Sequence, residues 1–321
     1  MSIQTIGLLT SGGDAPGMNA AIRAAVRTAR NQGIKVLGIK RGYNGLISGD
    51  LEELEVRSVS DIIHRGGTIL YTARCLEFKT KEGLETAKKT CEEAGIDGLV
   101  VIGGDGTFRG AADLAELGVP CTCIPGTIDN DIACSEYTIG FDTAMNTAMQ
   151  MVDKLRDTAQ SHDRCSIVEV MGRHAGYIAL NTGVACGATF IMTPEVPFDF
   201  DAMINKINST QTNGKHHFII VVAEGVGNIE EITRKIQERT GIDSRATILG
   251  HVQRGGSPTV RDRVIASQMA SHAVNLLING KKQRVVAIQQ NEIVDFDIKE
   301  ALAMKKPFED DLYKIAYEIS F

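Results

Sequence analysis

Short, continuously apolar runs alternate with helix-patterned segments along almost the whole chain, and no other feature restricts the fold so tightly. TIGLLT (5–10) is followed by a helical pattern over about 17–32 and then by KVLGI (35–39). A helix over about 80–94 leads into DGLVVIG (97–103), and one near 107–117 leads into VPCTCIP (119–125). FDTAMNTAMQMVDKLRDTAQ (141–160) carries apolar residues at helical spacing. SIVEVMG, a helix after His174, ATFIM, a helix over 201–212, HFIIVVAEG, a helix near 228–239 and RATILGH follow. A long helix over about 260–278, the strand RVVAIQ and a helical C-terminus close the chain. Strands apolar throughout suit the centre of a parallel sheet covered on both faces. Repeated βαβ units predict a doubly wound α/β fold, whose ligands sit at the carboxyl ends of the strands.

The 321 residues are 43% hydrophobic and 23% charged, with a net charge of −6. No overall basic field points to nucleic acid or to a membrane surface, so any affinity for anions has to come from local arginines. The seven cysteines (75, 91, 121, 123, 134, 165, 186) show no CxxC pair and no zinc spacing, which reads as buried free thiols in a reducing compartment. No stretch is long enough to span a bilayer, and MSIQTIGLLTSGGD lacks a targeting pattern, so a cytoplasmic protein is expected.

Three strand ends carry chemistry. In TSGGDAPGMNAAIR (10–23), Gly12 and Gly13 let the backbone approach a phosphate while the helix that follows directs its amides at it. A tight structural turn explains those glycines equally well, and there is no GxxxxGK[ST] loop. In VVIGGDGTFRG (100–110), Asp105 stands in a glycine turn of the same kind; a carboxylate there needs a cation between it and the phosphates, and Mg²⁺ is the natural one. PGTIDND (125–131) places Asp129 and Asp131 at the mouth of a buried strand. Phosphoryl transfer to an alcohol needs a carboxylate to accept the hydroxyl proton, Mg²⁺ on the phosphates and cations on the moving phosphoryl group. Arg74, Arg164, Arg173, Arg245 and Arg254, at strand ends or in glycine-rich turns, supply the cations.

TSGGDAPGMNAAIR, RGGTILYTAR, VVIGGDGT, PGTIDNDI, YTIGFDTA, RDTAQSH, VEVMGRHAG, AEG and LGHVQRGGSP occur in order over nearly the whole chain. Together they resemble the bacterial ATP-dependent phosphofructokinase family (type A). The resemblance implies two doubly wound, Rossmann-like α/β domains with mainly parallel sheets and a chain that crosses between them. Residues 1–140 with 253–303 would form the larger, ATP-binding domain, and 141–252 with 304–321 the smaller, fructose 6-phosphate-binding domain. It also implies a homotetramer whose active sites are completed across a subunit interface. Asp129 would be the general base. Thr127 and Arg173 would steady the transferring phosphoryl group, Gly13 and Arg74 would act on the ATP phosphates, and Asp105 would hold Mg²⁺. Gly13, Tyr43, Arg74, Cys75, Gly104, Asp105, Gly106 and Thr107 fall at ATP positions. Thr127, Asp129, Asp131, Met171, Gly172, Arg173 and Glu224 fall at sugar positions. His251 and Arg254, with Arg164 and Arg245 from a neighbouring subunit, would take the 6-phosphate; guanidinium groups suit a phosphate dianion.

Related pyrophosphate-dependent enzymes carry an aspartate and a lysine where this chain has Gly106 and Gly126. The two glycines are read as leaving room for a nucleotide, so ATP is the expected donor. At the family's second site, for ADP and phosphoenolpyruvate, Arg23, Arg27, Arg156 and Lys215 match the basic positions. Thr189 stands where that site has a metal-binding glutamate, Val56, with Arg57 adjacent, where it has an arginine, and Asn213 where it has a lysine. Each lost charged contact costs about 1–3 kcal/mol, so blunted control is expected. An NAD or lipid kinase also uses GGDGT but leaves PGTIDND, MGRHAG and HVQRGGSP unexplained. A silent regulatory subunit would be expected to have lost Asp129, Asp105 or Arg173, all of which are present.

Overall fold

A computed structural model of the chain describes residues 3–320. In order, the elements are β1 (Thr5–Thr10), α1 (Met18–Asn31), β2 (Lys35–Ile39), α2 (Tyr43–Ser48), β3 (Leu51–Glu53), α3 (Lys81–Glu93), β4 (Gly98–Gly103) and α4 (Asp105–Glu116). Then come β5 (Cys121–Pro125), α5 (Phe141–Ser161), β6 (Cys165–Val170), α6 (Tyr177–Ala185), β7 (Phe190–Met192), α7 (Phe200–Thr212), β8 (Phe218–Ala223), α8 (Ile229–Thr240) and β9 (Ser244–Ile248). The chain closes with α9 (Val260–Ile278), β10 (Arg284–Gln289), β11 (Glu292–Asp297), α10 (Ile298–Ala303) and α11 (Asp310–Glu318). No helix among the described residues is long and apolar enough to cross a membrane.

Two compact units divide the chain, 1–143 with 254–306 and 144–253 with 307–321. Each break falls one to three residues beyond the expected one, and hydrogen bonds account for two of the shifts. Thr143 is held in the first unit because its amide and hydroxyl both donate to Asp262, at 2.9 and 2.5 Å. The Lys306 ammonium donates to the Ser135 carbonyl at 2.8 Å, keeping that residue with the same unit. Asp262 is fully buried and also accepts from the Tyr137 hydroxyl and the Gly140 amide, at 2.6 and 2.7 Å. Four donors on one carboxylate are what burial of an acid requires.

The first unit is built on a seven-stranded sheet, ordered β11-β10-β5-β4-β1-β2-β3. It is parallel except at its two edges, where β3 and β11 run antiparallel to their neighbours. The chain moves one way from β1 to β2 and the other way from β4 to β5, so right-handed crossovers set α1 and α4 on opposite faces. The loops after β1 and β4 therefore part at the carboxyl edge, at a topological switch point, which is where such a sheet opens a crevice. Leu9, Leu99, Val101, Cys123, Phe108 and Leu114 belong to the core under this edge. The second unit has a four-stranded, all-parallel sheet, β7-β8-β6-β9, over a core that includes Ile167, Ile220, Val222 and Ile236.

All seven cysteines are free, six of them buried and Cys75 half-buried. Burial pushes the Cys91 and Cys165 thiols up to about 12, which leaves them inert at neutral pH.

Candidate functional site

In the first unit, β5, β4 and β1 are neighbours, so the three glycine- and aspartate-rich segments read from sequence come out side by side at one sheet edge. Gly12 has φ +89°, a conformation other residues rarely adopt. The Ser11 amide donates to the Ile102 carbonyl at 3.0 Å, the Thr107 hydroxyl donates to the Ser11 carbonyl at 3.1 Å, and the Gly126 amide donates to the Gly103 carbonyl at 2.9 Å. These bonds fasten the three loops to one another. Gly104 caps α4, and Asp105 opens it with its side chain about half exposed. Its carboxylate lies 3.8 Å from the Arg109 guanidinium, too far for a strong pair.

After β5 the chain turns through Asn130, at φ +52°. The Asp129 amide donates to the Thr127 hydroxyl at 3.2 Å, and the Thr138 hydroxyl donates to the Thr127 carbonyl at 2.6 Å. Asp129 is 4% exposed and Asp131 is half-buried, so the turn holds Asp129 in a largely dry setting. Arg74 is exposed, on a loop whose carbonyl at residue 74 accepts from the Asn44 side-chain amide. Cys75 packs partly against the core.

The packing around the glycine turns bears on the expectations for Tyr43 and the two glycines. Tyr43, expected at the nucleotide, is 4% exposed; its ring stacks on Phe78 at 3.8 Å and its hydroxyl donates to the Thr107 carbonyl. It props up the GGDG turn from below, and burial pushes its phenol well above the ordinary value. Gly126 was read as open space, but a Cβ there would meet Ile102 and Met18 at 2.9 and 3.1 Å, so core packing fills that volume. At Gly106 nothing lies within 4 Å of a Cβ, and the room is real. Arg254 lies in the first unit, where its guanidinium lies against Gly13 and donates to the Asp14 carbonyl.

In the second unit, Met171, Gly172 and Arg173 follow the carboxyl end of β6, and Glu224 follows that of β8 beside it. The Glu224 carboxylate accepts from the Gly172 and Arg173 amides, at 3.2 and 2.5 Å, and Arg173 is exposed with φ +57°. Gln253 is a residue that sequence reasoning passed over, although it lies inside the HVQRGG motif. It is fully buried, accepts from the Met171 amide at 3.3 Å and donates to the Gly250 carbonyl. His251 is exposed on the short helical turn after β9.

Arg164 and Arg245 lie elsewhere. Arg164 immediately precedes β6, and Arg245 pairs in register with Ser166 near the start of that strand. Asp243, also missed, joins them by accepting from Arg164 Nε at 2.6 Å and lying 3.2 Å from Arg245 Nε. At the ordinary rise of a strand, the backbones at 164 and 171 are roughly 20 Å apart. The two groups of sugar-phosphate candidates thus stand at opposite ends of one strand.

Of the basic residues proposed for effectors, Arg23 and Arg27 share a face of α1 in the first unit, one turn apart. Arg156 and Lys215 are neighbours in the second unit: burial and then the Arg156 charge lower the Lys215 ammonium, and burial, then the Lys215 and Arg156 charges, lower His217. Thr189 is buried just before β7, and Asn213 caps α7.

A family model described as Phosphofructokinase matches residues 5–277. The ATP-dependent 6-phosphofructokinase of Clostridium botulinum (strain Loch Maree / Type A3) is 57% identical over 318 residues, covering 99% of this chain and 100% of the relative. That of Clostridioides difficile (strain 630) is 56% identical with the same coverage. Among solved structures, phosphofructokinase from Saccharomyces cerevisiae matches with a TM-score of 0.86 at 32% identity, over 99% of this chain and 48% of that one, so this chain spans about half the yeast chain's length. A pyrophosphate-dependent phosphofructokinase from Marinobacter aquaeolei also reaches 0.86, at 20% identity over 98% of this chain and 92% of that one. That likeness is one of fold, and the fold alone leaves the phosphoryl donor open.

Proposed function

The chain belongs to the phosphofructokinase family, and from that premise we propose that it transfers the γ-phosphoryl group of ATP to the 1-hydroxyl of fructose 6-phosphate. The observation that carries the reading is the meeting of three motif-bearing loops at the carboxyl ends of β1, β4 and β5, flanking the switch point. Asp129 takes the proton of the 1-hydroxyl as its oxygen attacks the γ-phosphorus; the bond to the bridging oxygen breaks, and ADP leaves with the electron pair. Thr127 and Arg173 steady the phosphoryl group, and Arg74 and the Gly13 amide hold the phosphates. Asp131, Met171 and Glu224 orient the sugar.

Asp105 fits a hydrated Mg²⁺. It is a half-exposed carboxylate without a strong partner, and no group of three or more His, Cys, Asp or Glu among the described residues forms a closed protein cage. One carboxylate plus phosphate oxygens and waters is the usual arrangement for this ion, which when bound neutralises charge on the phosphates.

For the donor, the open space at Gly106 supports ATP over pyrophosphate. Gly106→Asp would place a carboxylate there at little cost to folding, since the position has no positive φ and nothing nearby to strike. We expect the KM for ATP to rise at least ~10-fold with Tm nearly unchanged, because displacing even one hydrogen bond to a charged phosphate costs about 1.5–3 kcal/mol. An unaltered KM would remove the argument from this glycine. Assays of the parent protein with ATP and then with pyrophosphate test the reading as a whole.

The same reading includes weak control by ADP and phosphoenolpyruvate. Thr189, Val56 and Asn213 bring neither a metal-binding carboxylate nor the two extra cations, leaving Arg23, Arg27, Arg156 and Lys215. Either effector at saturating concentration is expected to move the half-saturation for fructose 6-phosphate less than about threefold. A shift of tenfold or more would refute this. Sharing of each active site by two copies of the chain is proposed on the placement of Arg164 and Arg245.

A further inference from the structure

The loop over residues 65–74, which ends in the exposed Arg74, contains neither helix nor strand. Side chains from β1 and α1 hold it in place. Asn19, 1% exposed, donates to the carbonyls of Arg65 and Gly66 and accepts from the Ile69 amide. The Thr10 hydroxyl donates to the Tyr71 carbonyl at 2.8 Å; having only one proton, it accepts from Thr68 at 2.9 Å. The last tie runs the other way. Thr72, on the loop, donates its hydroxyl to the Gly12 carbonyl at 2.7 Å.

That bond acts on a particular peptide group. In a trans peptide the carbonyl and the following N–H point in opposite directions. A Gly12 carbonyl drawn toward Thr72 therefore aims the Gly13 N–H the other way. Without the tie, two consecutive glycines would leave this peptide plane free to rotate, since neither has a Cβ to restrict it.

We propose that Thr72 is a positioning residue for phosphoryl transfer: by holding the Gly12 carbonyl, its hydroxyl keeps the Gly13 N–H presented to the transferring phosphoryl group. This rests on reading the glycine turn as the seat of the ATP phosphates. The same bond sets the distance between that turn and Arg74, two residues further on, so the amide and the guanidinium reach the phosphates as one preorganised set. Preorganised donors act where charge develops in the transition state, and their loss falls mainly on kcat.

The test compares Thr72→Val, which keeps the shape and removes the hydroxyl, with Thr72→Ser, which keeps the hydroxyl. Steady-state kinetics with ATP and fructose 6-phosphate and thermal denaturation are measured for both. Thr72→Val is expected to lower kcat ~10- to 100-fold while the half-saturation for fructose 6-phosphate moves less than about threefold. Thr72→Ser should stay within about threefold of the parent. A valine variant with parental kcat, or a serine variant as impaired as the valine one, would overturn the proposal. Failure of both Thr72→Val and Thr72→Ala to fold would also overturn it, marking the hydroxyl as a requirement of the fold. A parent chain without ATP-dependent activity would instead refute the functional reading, which separates the two failures.

Discussion

Asp129→Asn should lower kcat by about 10²–10⁴-fold, the range expected when a general base is lost, while the KM values for both substrates change little. The substitution keeps the size of the side chain and leaves intact the turn that positions it. The Asp129 amide still donates to the Thr127 hydroxyl, Asn130 still provides the left-handed residue, and Thr138 still binds the Thr127 carbonyl. The change removes the negative charge and the ability to accept a proton, and puts an NH2 donor where one carboxylate oxygen stood. Because the side chain is 4% exposed, bulk water has little access through which to take over that role. Initial rates at saturating ATP and fructose 6-phosphate are the measurement. A fall of less than about tenfold would show that the proton leaves by another route and would remove Asp129 from the chemical step.

The second large effect is expected at Arg245. Arg245→Ala should raise the half-saturation for fructose 6-phosphate by ~10- to 100-fold and leave the KM for ATP within a fewfold, because a hydrogen bond to a charged group is worth about 1.5–3 kcal/mol. Equal losses for both substrates would argue against a sugar-phosphate role. Arg245 also allows a test of site sharing. It sits with Arg164 and Asp243 near the amino end of β6, roughly 20 Å along the strand from Met171 and Arg173. If each site takes its base from one copy and this arginine from another, Asp129→Asn and Arg245→Ala chains refolded together should regain activity at subsaturating sugar phosphate. Hybrid sites would then pair one intact Asp129 with one intact Arg245. Mixtures no more active than the sum of the separate variants would place all the groups in a single copy.

Much of this was legible in the sequence, for identifiable reasons. Strands buried on both faces must be apolar throughout, so GLVVIG and FIIVVA announced themselves and with them the parallel sheets. The three glycine-rich loops were legible because each begins where an apolar strand stops, although a tight turn alone would account for the glycines as well. What remained hidden depends on side chains meeting across the fold. β11 escaped because its hairpin turns through Gln290 and Asn291, both at positive φ with no glycine to signal it. The burial of Tyr43 was hidden because its stacking partner, Phe78, lies 35 residues away in the sequence. Gly126 looked like vacant space because a sequence does not tell which way an absent Cβ would point. Thr72, Gln253 and Asp243 were passed over because each acts on a backbone or side chain distant in the chain, a meeting that no local pattern announces.

The division of the chain has a consequence for how the protein is made. Neither compact unit is continuous: α9, β10 and β11 return to complete the first, and α11 completes the second. β5 ends at Pro125, but β10, which pairs with it, begins at Arg284. On a ribosome adding ~5–20 residues per second, β5 waits on the order of 10–30 s with one edge unpaired. Such an edge is a template for unwanted pairing. The half of the protein that would bind nucleotide begins emerging first and finishes among the last, so shortening the chain from its carboxyl end damages the sheet laid down at the start.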